Sequence, residues 1–350
     1  MFHLLTRYTT ESVTAGHPDK VCDQISDAIL DACLRGDANS RVAVETFGSH
    51  GTLMIGGEVT TKADVDYEAI ARRVYADIGY TDPVEVFSRV VTQSGDIAQG
   101  VDTGGAGDQG IMYGYATNET EEFLPLGVVL AHALARQLEK LRTDGTLPYL
   151  RPDGKTQVTI AEGKVLTALT STQHAEEVEQ DVIRKDLIEH LFLPVLGSIE
   201  NVEILVNPTG RFVQGGFSAD AGLTGRKIMV DTYGGLVPHG GGCFSGKDAT
   251  KVDRSAAYMC RFVAKNLVAN GHAQKALVSV AYAIGRVEPV MIEAYSEDGT
   301  NLSDIVRANF DFRPLAIRER LGLTRPIFKE TAAYGHFGVP GRSWEEVVQL

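Results

Sequence analysis

The sequence predicts an α+β protein built from three segments of similar size. Two observations carry that expectation. Glycine and proline punctuate the chain at intervals that separate short strands from amphipathic helices, and each third mixes strands with a couple of helices. The clearest helix is 18–35, where Val21, Ile25, Ile29 and Ala32 recur at helical spacing, Pro18 suits the first position and Gly36 the stop. Residues 41–47 and 52–60 read as a hairpin around Gly48-Ser49-His50-Gly51, followed by a helix over 65–78 and a strand over 84–93. The glycine-rich, aperiodic stretch 94–107 marks a boundary. Beyond it the pattern predicts a helix over 125–141, a strand pair over 155–170 broken at Glu162-Gly163, a helix over 175–191 and a strand over 203–206. A second boundary falls at Gly215-Gly216. It precedes a strand over 227–232, a glycine-rich loop over 234–246, a helix over 254–270 and a strand over 276–284. The segments are therefore 1–101, 105–213 and 216–350, with no sequence repeat between them.

Composition narrows the function. With 33 Lys plus Arg against 46 Asp plus Glu, the net charge of −13 argues against non-specific binding to nucleic acid or an anionic membrane. A polyanionic ligand needs a local basic cluster. No apolar run approaches the length of a membrane span, and the start lacks a secretory pattern, so a cytoplasmic protein is expected. Cys22, Cys33, Cys243 and Cys260 show no CxxC spacing and read as reduced thiols, Cys22 and Cys260 on apolar helix faces.

The loop Gly240-Gly241-Gly242-Cys243-Phe244-Ser245-Gly246-Lys247-Asp248 nearly matches a phosphate-binding P-loop, but Asp248 replaces the hydroxyl residue that would hold magnesium. An ordinary P-loop kinase or ATPase is thereby disfavoured, although glycine N–H groups with Lys247 and Lys251 suit an anion. The helix start at Gly16-His17-Pro18-Asp19-Lys20 combines free N–H groups, an imidazole, a lysine and a carboxylate able to ligate magnesium, which suits polyphosphate. Each residue also has a bland reading alone. Asp253 caps the helix expected from Arg254, Glu45 and Glu58 face solvent, Phe212 is core, and Arg226-Lys227 is a solvated strand entry.

Taken together, Glu11–Lys20 (ESVTAGHPDK), Gly105–Gly110 (GAGDQG) and Gly240–Asp248 (GGGCFSGKD) closely resemble the signatures of S-adenosylmethionine synthetase, also called methionine adenosyltransferase. The resemblance extends to LPYLRP at 147–152, NPTGRF at 207–212, DTYGG at 231–235 and KETAAYGHF at 329–337. It implies three interlaced, similarly built domains in a pseudo-threefold arrangement, working as a homodimer or homotetramer with interfacial active sites. The implied reaction is attack of methionine sulfur on C5′ of ATP, followed by hydrolysis of the released triphosphate to pyrophosphate and phosphate. A neutral thioether needs no base, so alignment and stabilisation of the leaving triphosphate carry the catalysis.

By the same resemblance, His17 binds the leaving oxygen, Asp19 and Asp253 hold two Mg2+ ions, and Glu45 a K+ ion. Lys155, Arg226, Lys247 and Lys251 surround the phosphates or orient substrate. Asp153, Arg211, Asp220, Lys227 and Cys243 also match ATP-binding positions, with Phe212 stacking on adenine and Asp108 beside the ribose or adenosine. Glu58, Gln99, Asp220 and Lys251 match methionine-contacting positions. Two departures stand out: the gating segment 99–105 is shorter than usual, and Cys243 replaces the usual alanine, placing an alkylatable thiol at the ATP site if it is exposed. The competing reading is a catalytically silent paralogue that binds ATP or S-adenosylmethionine and regulates a partner subunit.

Overall fold

A computed structural model describes residues 6–92 and 104–350, whose strands form three sheets. In the first sheet β1 (Arg7–Val13) leaves its sequence neighbours and pairs antiparallel with β6 (Leu150–Ala161), which continues to β7 (Lys164–His174) and β8 (Glu203–Val206). The second sheet has the order β4-β3-β2-β9: the hairpin β2 (Arg41–Ser49) and β3 (Thr52–Thr60), a parallel β4 (Glu85–Val91), and the short β9 (Gly222–Leu223). His50 and Gly51 turn the hairpin with φ of 43° and 77°, the pair of left-handed residues that matches strand twist. The third sheet joins β5 (Gly110–Thr117), β10 (Lys275–Tyr282) and β11 (Met291–Ser296).

Helices cover one face of each sheet. α1 (Pro18–Gly36) and α2 (Tyr67–Ile78) serve the second, α3 (Leu126–Thr143) the first, and α6 (Val252–Ala269) the third. α1 starts with His17 at the cap and proline at the first position, as its sequence predicts, and almost all of it is buried. One core runs from α1 through β2 and β3 into α6, β5 and β10; a second lies under α3.

Three expectations are corrected. Residues 227–232 are not a strand: Ile228–Asp231 form a single helical turn, α5, which brings the Asp231 carboxylate to Lys20. The helix expected over 175–191 begins five residues later as α4 (Gln180–Leu187) and runs through a π turn (Ile188–Phe192) into a last α turn (Leu193–Leu196). Pro194 has no N–H to give the carbonyl four residues back, and Gln137 Nε2 supplies the missing donor to His190 O at 3.1 Å. Asp253 does not cap α6; Lys251 holds that position and Asp253 sits in the first turn. Beyond the elements expected, the structure adds β1, β5, β9, β11 and the short helices α7 (Ser303–Asn309) and α8 (Pro314–Arg320).

Pairing registers deliver chemistry to one place. Val13 lies opposite Lys155, so the chain leaving β1 carries His17 past that lysine. Leu223 pairs with Phe47, and Lys247 bridges to Ala43, so two loops of the last third lie on β2. Among the described residues no helix is long and apolar enough to cross a membrane. All four cysteines are free, with Cys22, Cys33 and Cys260 buried.

The C-terminal segment is clamped to α6 by charge. Arg261 and Lys265 converge on Glu345, with Arg261 Nε and Nη2 at 2.9 and 2.8 Å and Lys265 Nζ at 2.9 Å. Glu345→Ala strands the buried guanidinium and should destabilise the fold by about 3–5 kcal/mol. A thermal melt unchanged from wild type would show that the clamp contributes nothing.

Candidate active site

His17 occupies the cap of α1, where its Nδ1 accepts the Asp19 N–H at 3.1 Å. Burial pushes the imidazole pKa down to about 3, helped by Lys227, Lys155 and Lys20 against the opposing pull of Asp19. The ring is therefore neutral near pH 7, and with Nδ1 accepting, its proton resides on Nε2. No described residue partners Nε2, so it is an available donor.

Asp19 is 1% exposed. Its Oδ1 accepts Leu223 N–H at 3.0 Å and its Oδ2 meets Lys227 Nζ at 2.5 Å, with Arg226 Nε at 3.6 Å. Burial acts to raise its pKa, but the hydrogen bonds from Lys227 and Leu223 outweigh it and the carboxyl stays below its ordinary value. Asp153, on β6, is the complementary case. Its Oδ2 accepts Gly216 N–H at 2.9 Å while its buried Oδ1 has no partner, and burial raises the carboxyl to about 6. Phe212 is half-buried, held through mutual bonds with His174: Phe212 N–H donates to Nε2 at 3.1 Å and Phe212 O accepts from His174 N. Arg211 is exposed and paired with Glu176, and Asp220 is exposed with its Oδ1 accepting Ala221 N–H.

A second group faces the open side of the second sheet. Lys247 Nζ meets Asp253 Oδ2 at 2.6 Å, and Lys251 Nζ meets Asp248 Oδ2 at 2.6 Å. Burial favours loss of the Lys247 proton, but Cys243 and Asp253 more than restore it and the pKa rises. Glu45 and Glu58 are exposed on β2 and β3, where a cavity of about 420 Å³ is lined by Glu45, Phe47, Met54, Glu58, Ser245 and Lys247. Asp108 is exposed near this group, since Gly110 packs beside Asp253.

The two groups meet at Gly225 and Cys243. A Cβ on Gly225 would lie 2.8 Å from the Cys243 sulfur. Cys243 is half-buried and its thiol is raised by burial, so the expected alkylation-prone thiolate is not favoured here.

Three family models match consecutive stretches: S-adenosylmethionine synthetase N-terminal domain over residues 6–96, central domain over 103–212 and C-terminal domain over 214–346. The S-adenosylmethionine synthase of Pseudothermotoga lettingae is 53% identical over 97% of this chain and 96% of its own. The chain belongs to the S-adenosylmethionine synthetase family. The synthases of Clostridium tetani and Nocardioides sp. are 52% and 51% identical, over 95% and 97% of this chain and 94% and 95% of their own. The three-domain α+β architecture follows from the same matches and the three sheets.

The structure thus brings His17, Asp19, Asp153, Lys155, Arg226 and Lys227 into one cluster, and Lys247, Asp253, Glu45 and Glu58 into another. Gln99 lies outside the described residues, as does most of the shortened segment 99–105. Lys20 is corrected: fully buried, it pairs with Asp23 and Asp231 and has no access to a phosphate. Sequence reading missed a stripe on α1, where Asp19, Asp23, Asp27 and Asp31 fall one turn apart and each carboxylate accepts a backbone N–H from a distant segment. The four-residue spacing of the aspartates was the available signal. His174, which holds Phe212, left no such trace.

The neutral, buried imidazole gives a direct test. In the ligand-free protein the His17 ring resonances should stay fixed between pH 5 and 8; a midpoint near the ordinary histidine value would show a solvated ring.

Proposed function

We propose that this chain makes S-adenosylmethionine from ATP and methionine, and then hydrolyses the triphosphate it has released to pyrophosphate and phosphate. The observation that carries the reading is the placement of the buried His17 ring, its Nδ1 taken by Asp19 N–H, beside Lys155 and Lys227, with Arg226 at Asp19. A lone pair on methionine sulfur forms the new bond to C5′ as the C5′–O bond breaks, and its electrons pass to the triphosphate. His17 Nε2–H donates to that departing oxygen, and the three cations offset the charge growing along the chain. Sulfur carries no proton, so no base is required.

Asp153 Oδ1, buried without a partner, accepts from a donor of the adenosine. Phe212, which makes no ring contact among the described residues, offers its face to adenine, with Arg211 and Asp108 at the nucleotide. Glu58, Asp220, Gln99 and Lys251 hold the ammonium and carboxylate of methionine. Cys243 lies against the nucleotide side of the glycine-rich loop.

Among the described residues no three His, Cys, Asp or Glu side chains converge as a metal cage. Asp19 and Asp253 are instead single carboxylates, each held by a lysine, which fits Mg2+ that takes most of its ligands from phosphates and water. Two Mg2+ ions held there would neutralise the triphosphate, and Glu45 would hold K+.

The segments 1–101, 105–213 and 216–350 act as one interlaced unit, and the working form is a dimer or a dimer of dimers. Phe47, Met54 and Phe87 are each more than two-fifths exposed and adjoin across β2, β3 and β4, beside Glu45 and Glu58. That open apolar face is suited to a second copy, which would complete each site from two chains. The protein is cytoplasmic and has no nucleic-acid or membrane partner.

Incubation with ATP, methionine, Mg2+ and K+ should yield S-adenosylmethionine with matching pyrophosphate and phosphate. ATP binding without product would instead favour a silent paralogue. His17→Ala should lower S-adenosylmethionine formation by about 10²-fold while sparing hydrolysis of added triphosphate; equal losses would refute its role at the leaving oxygen. For the assembly, Phe47→Asp with Met54→Asp should give a folded monomer of low activity by light scattering, and an active dimer would place the interface elsewhere.

A further inference from the structure

We infer that Asp23 and Asp27, two buried carboxylates of α1, are positioning residues that anchor the two cation-bearing loops this chain contributes to its sites. The inference rests on the proposed ATP-dependent activity and concerns residues given no substrate contact in it.

The same device occurs twice. Asp23 Oδ1 accepts the N–H of Gly225, and Asp27 Oδ1 accepts the N–H of Gly246, each at 2.8 Å. Each glycine immediately precedes the cations it delivers: Gly225 precedes Arg226 and Lys227, and Gly246 precedes Lys247. Both glycines have φ of +80°, so their backbones suit glycine specifically. A Cβ on Gly246 would fall 1.9 Å from Val44 O, and one on Gly225 would meet Cys243, so neither loop can shift inward. The two acceptors are one turn apart on a rigid helix, about 6 Å along its axis. That helix also begins with His17 and Asp19.

Each carboxylate is itself fixed by a buried cation. Arg254 reaches Asp27 with two nitrogens, Nη1 at 2.6 Å and Nη2 at 2.9 Å, and its Nη1 also donates to Phe244 O and Lys247 O at 3.0 and 3.3 Å. It therefore grips the glycine-rich loop on both sides of Gly246 while sitting next to Asp253 in sequence. Lys20 Nζ meets Asp23 Oδ2 at 3.0 Å and also bonds Asp231, which follows the Arg226-Lys227 loop. One helix thus sets where Arg226, Lys227, Lys247 and Asp253 stand relative to His17.

The test removes the anchors without stranding a charge. Asp27→Leu with Arg254→Met replaces a buried ion pair by apolar groups, a change such interiors commonly tolerate. Asp27→Asn with Arg254→Gln removes the charges but keeps an acceptor for Gly246 and a donor for the loop carbonyls. At the other anchor, Asp23→Leu leaves Lys20 paired with Asp231, and Asp23→Asn restores the acceptor. The full-length variants are compared by circular dichroism, by calorimetric binding of a non-hydrolysable ATP analogue with Mg2+, and by steady-state kinetics.

The apolar variants should weaken analogue binding and raise the half-saturating Mg2+ concentration by about tenfold or more, leaving KM for methionine within about twofold. The amide variants should recover to within about threefold of wild type. If the double apolar variant does not fold, Asp23→Leu against Asp23→Asn reads the same proposal. Folded apolar variants that bind the analogue as wild type does would overturn it, as would equal losses in the apolar and amide variants. Absence of S-adenosylmethionine formation by the wild type would overturn the proposed activity instead, while the binding comparison would still decide this inference.

Discussion

A buried helix carrying four carboxylates one turn apart is an electrostatic problem that the rest of the molecule is arranged to solve. Like charges at this spacing repel, and an unpaired buried charge costs several kcal/mol. Each aspartate of α1 is compensated by something imported from far along the chain. Asp19 takes Leu223 N–H and Lys227, Asp23 takes Gly225 N–H beside Lys20, Asp27 takes Gly246 N–H and Arg254, and Asp31 takes the N–H groups of Phe328 and Lys329. Remote loops are drawn to the helix because its charges would otherwise be unsatisfied. The electrostatic debt of the helix and the geometry of the site are the same fact.

That arrangement reconciles an acidic protein with an anionic ligand. The chain carries a net −13, yet Arg226 and Lys227 are held at Asp19, Lys247 at Asp253 and Lys251 at Asp248, with Lys155 beside His17. The lysines on Asp19 and Asp253 are partly exposed, so they can exchange a carboxylate for a phosphate without crossing the interior. The cations buried deeper, Lys20 and Arg254, cannot, and act on the fold.

Much of this was legible in the residues. Helical spacing, Pro18 and Gly36 delimited α1, and the hairpin turn at His50-Gly51 was where the glycine signal placed it. The motif at 105–110 and the glycine-rich loop were recognisable as parts of one family pattern. β1 was missed because RYTTESV is polar on both faces, and its partner lies in another segment. The apolar run IMV inside 227–232 looked like a strand, but it winds because the next residue, Asp231, must reach Lys20 across 211 positions. Lys20 was misread for the same reason: its neighbours in sequence suggest a phosphate site, while its neighbours in space bury it. Local pattern finds elements; it does not find a partner two hundred residues away.

The exchange of strands between segments governs how the chain can become a protein at all. β1 waits for β6, β5 waits for β10, and the guanidinium that neutralises Asp27 lies 227 positions downstream. During synthesis the early strands emerge with an open sheet, an uncovered strand edge and a helix whose carboxylates, Asp23 beside Lys20 apart, have no counterion yet, so they cannot reach their final state alone. A chain dominated by such distant pairings folds late and slowly, and its early stretches are those most exposed to wrong association or to a chaperone. Residues as far on as Lys329 must have emerged before the helix that organises the molecule can settle.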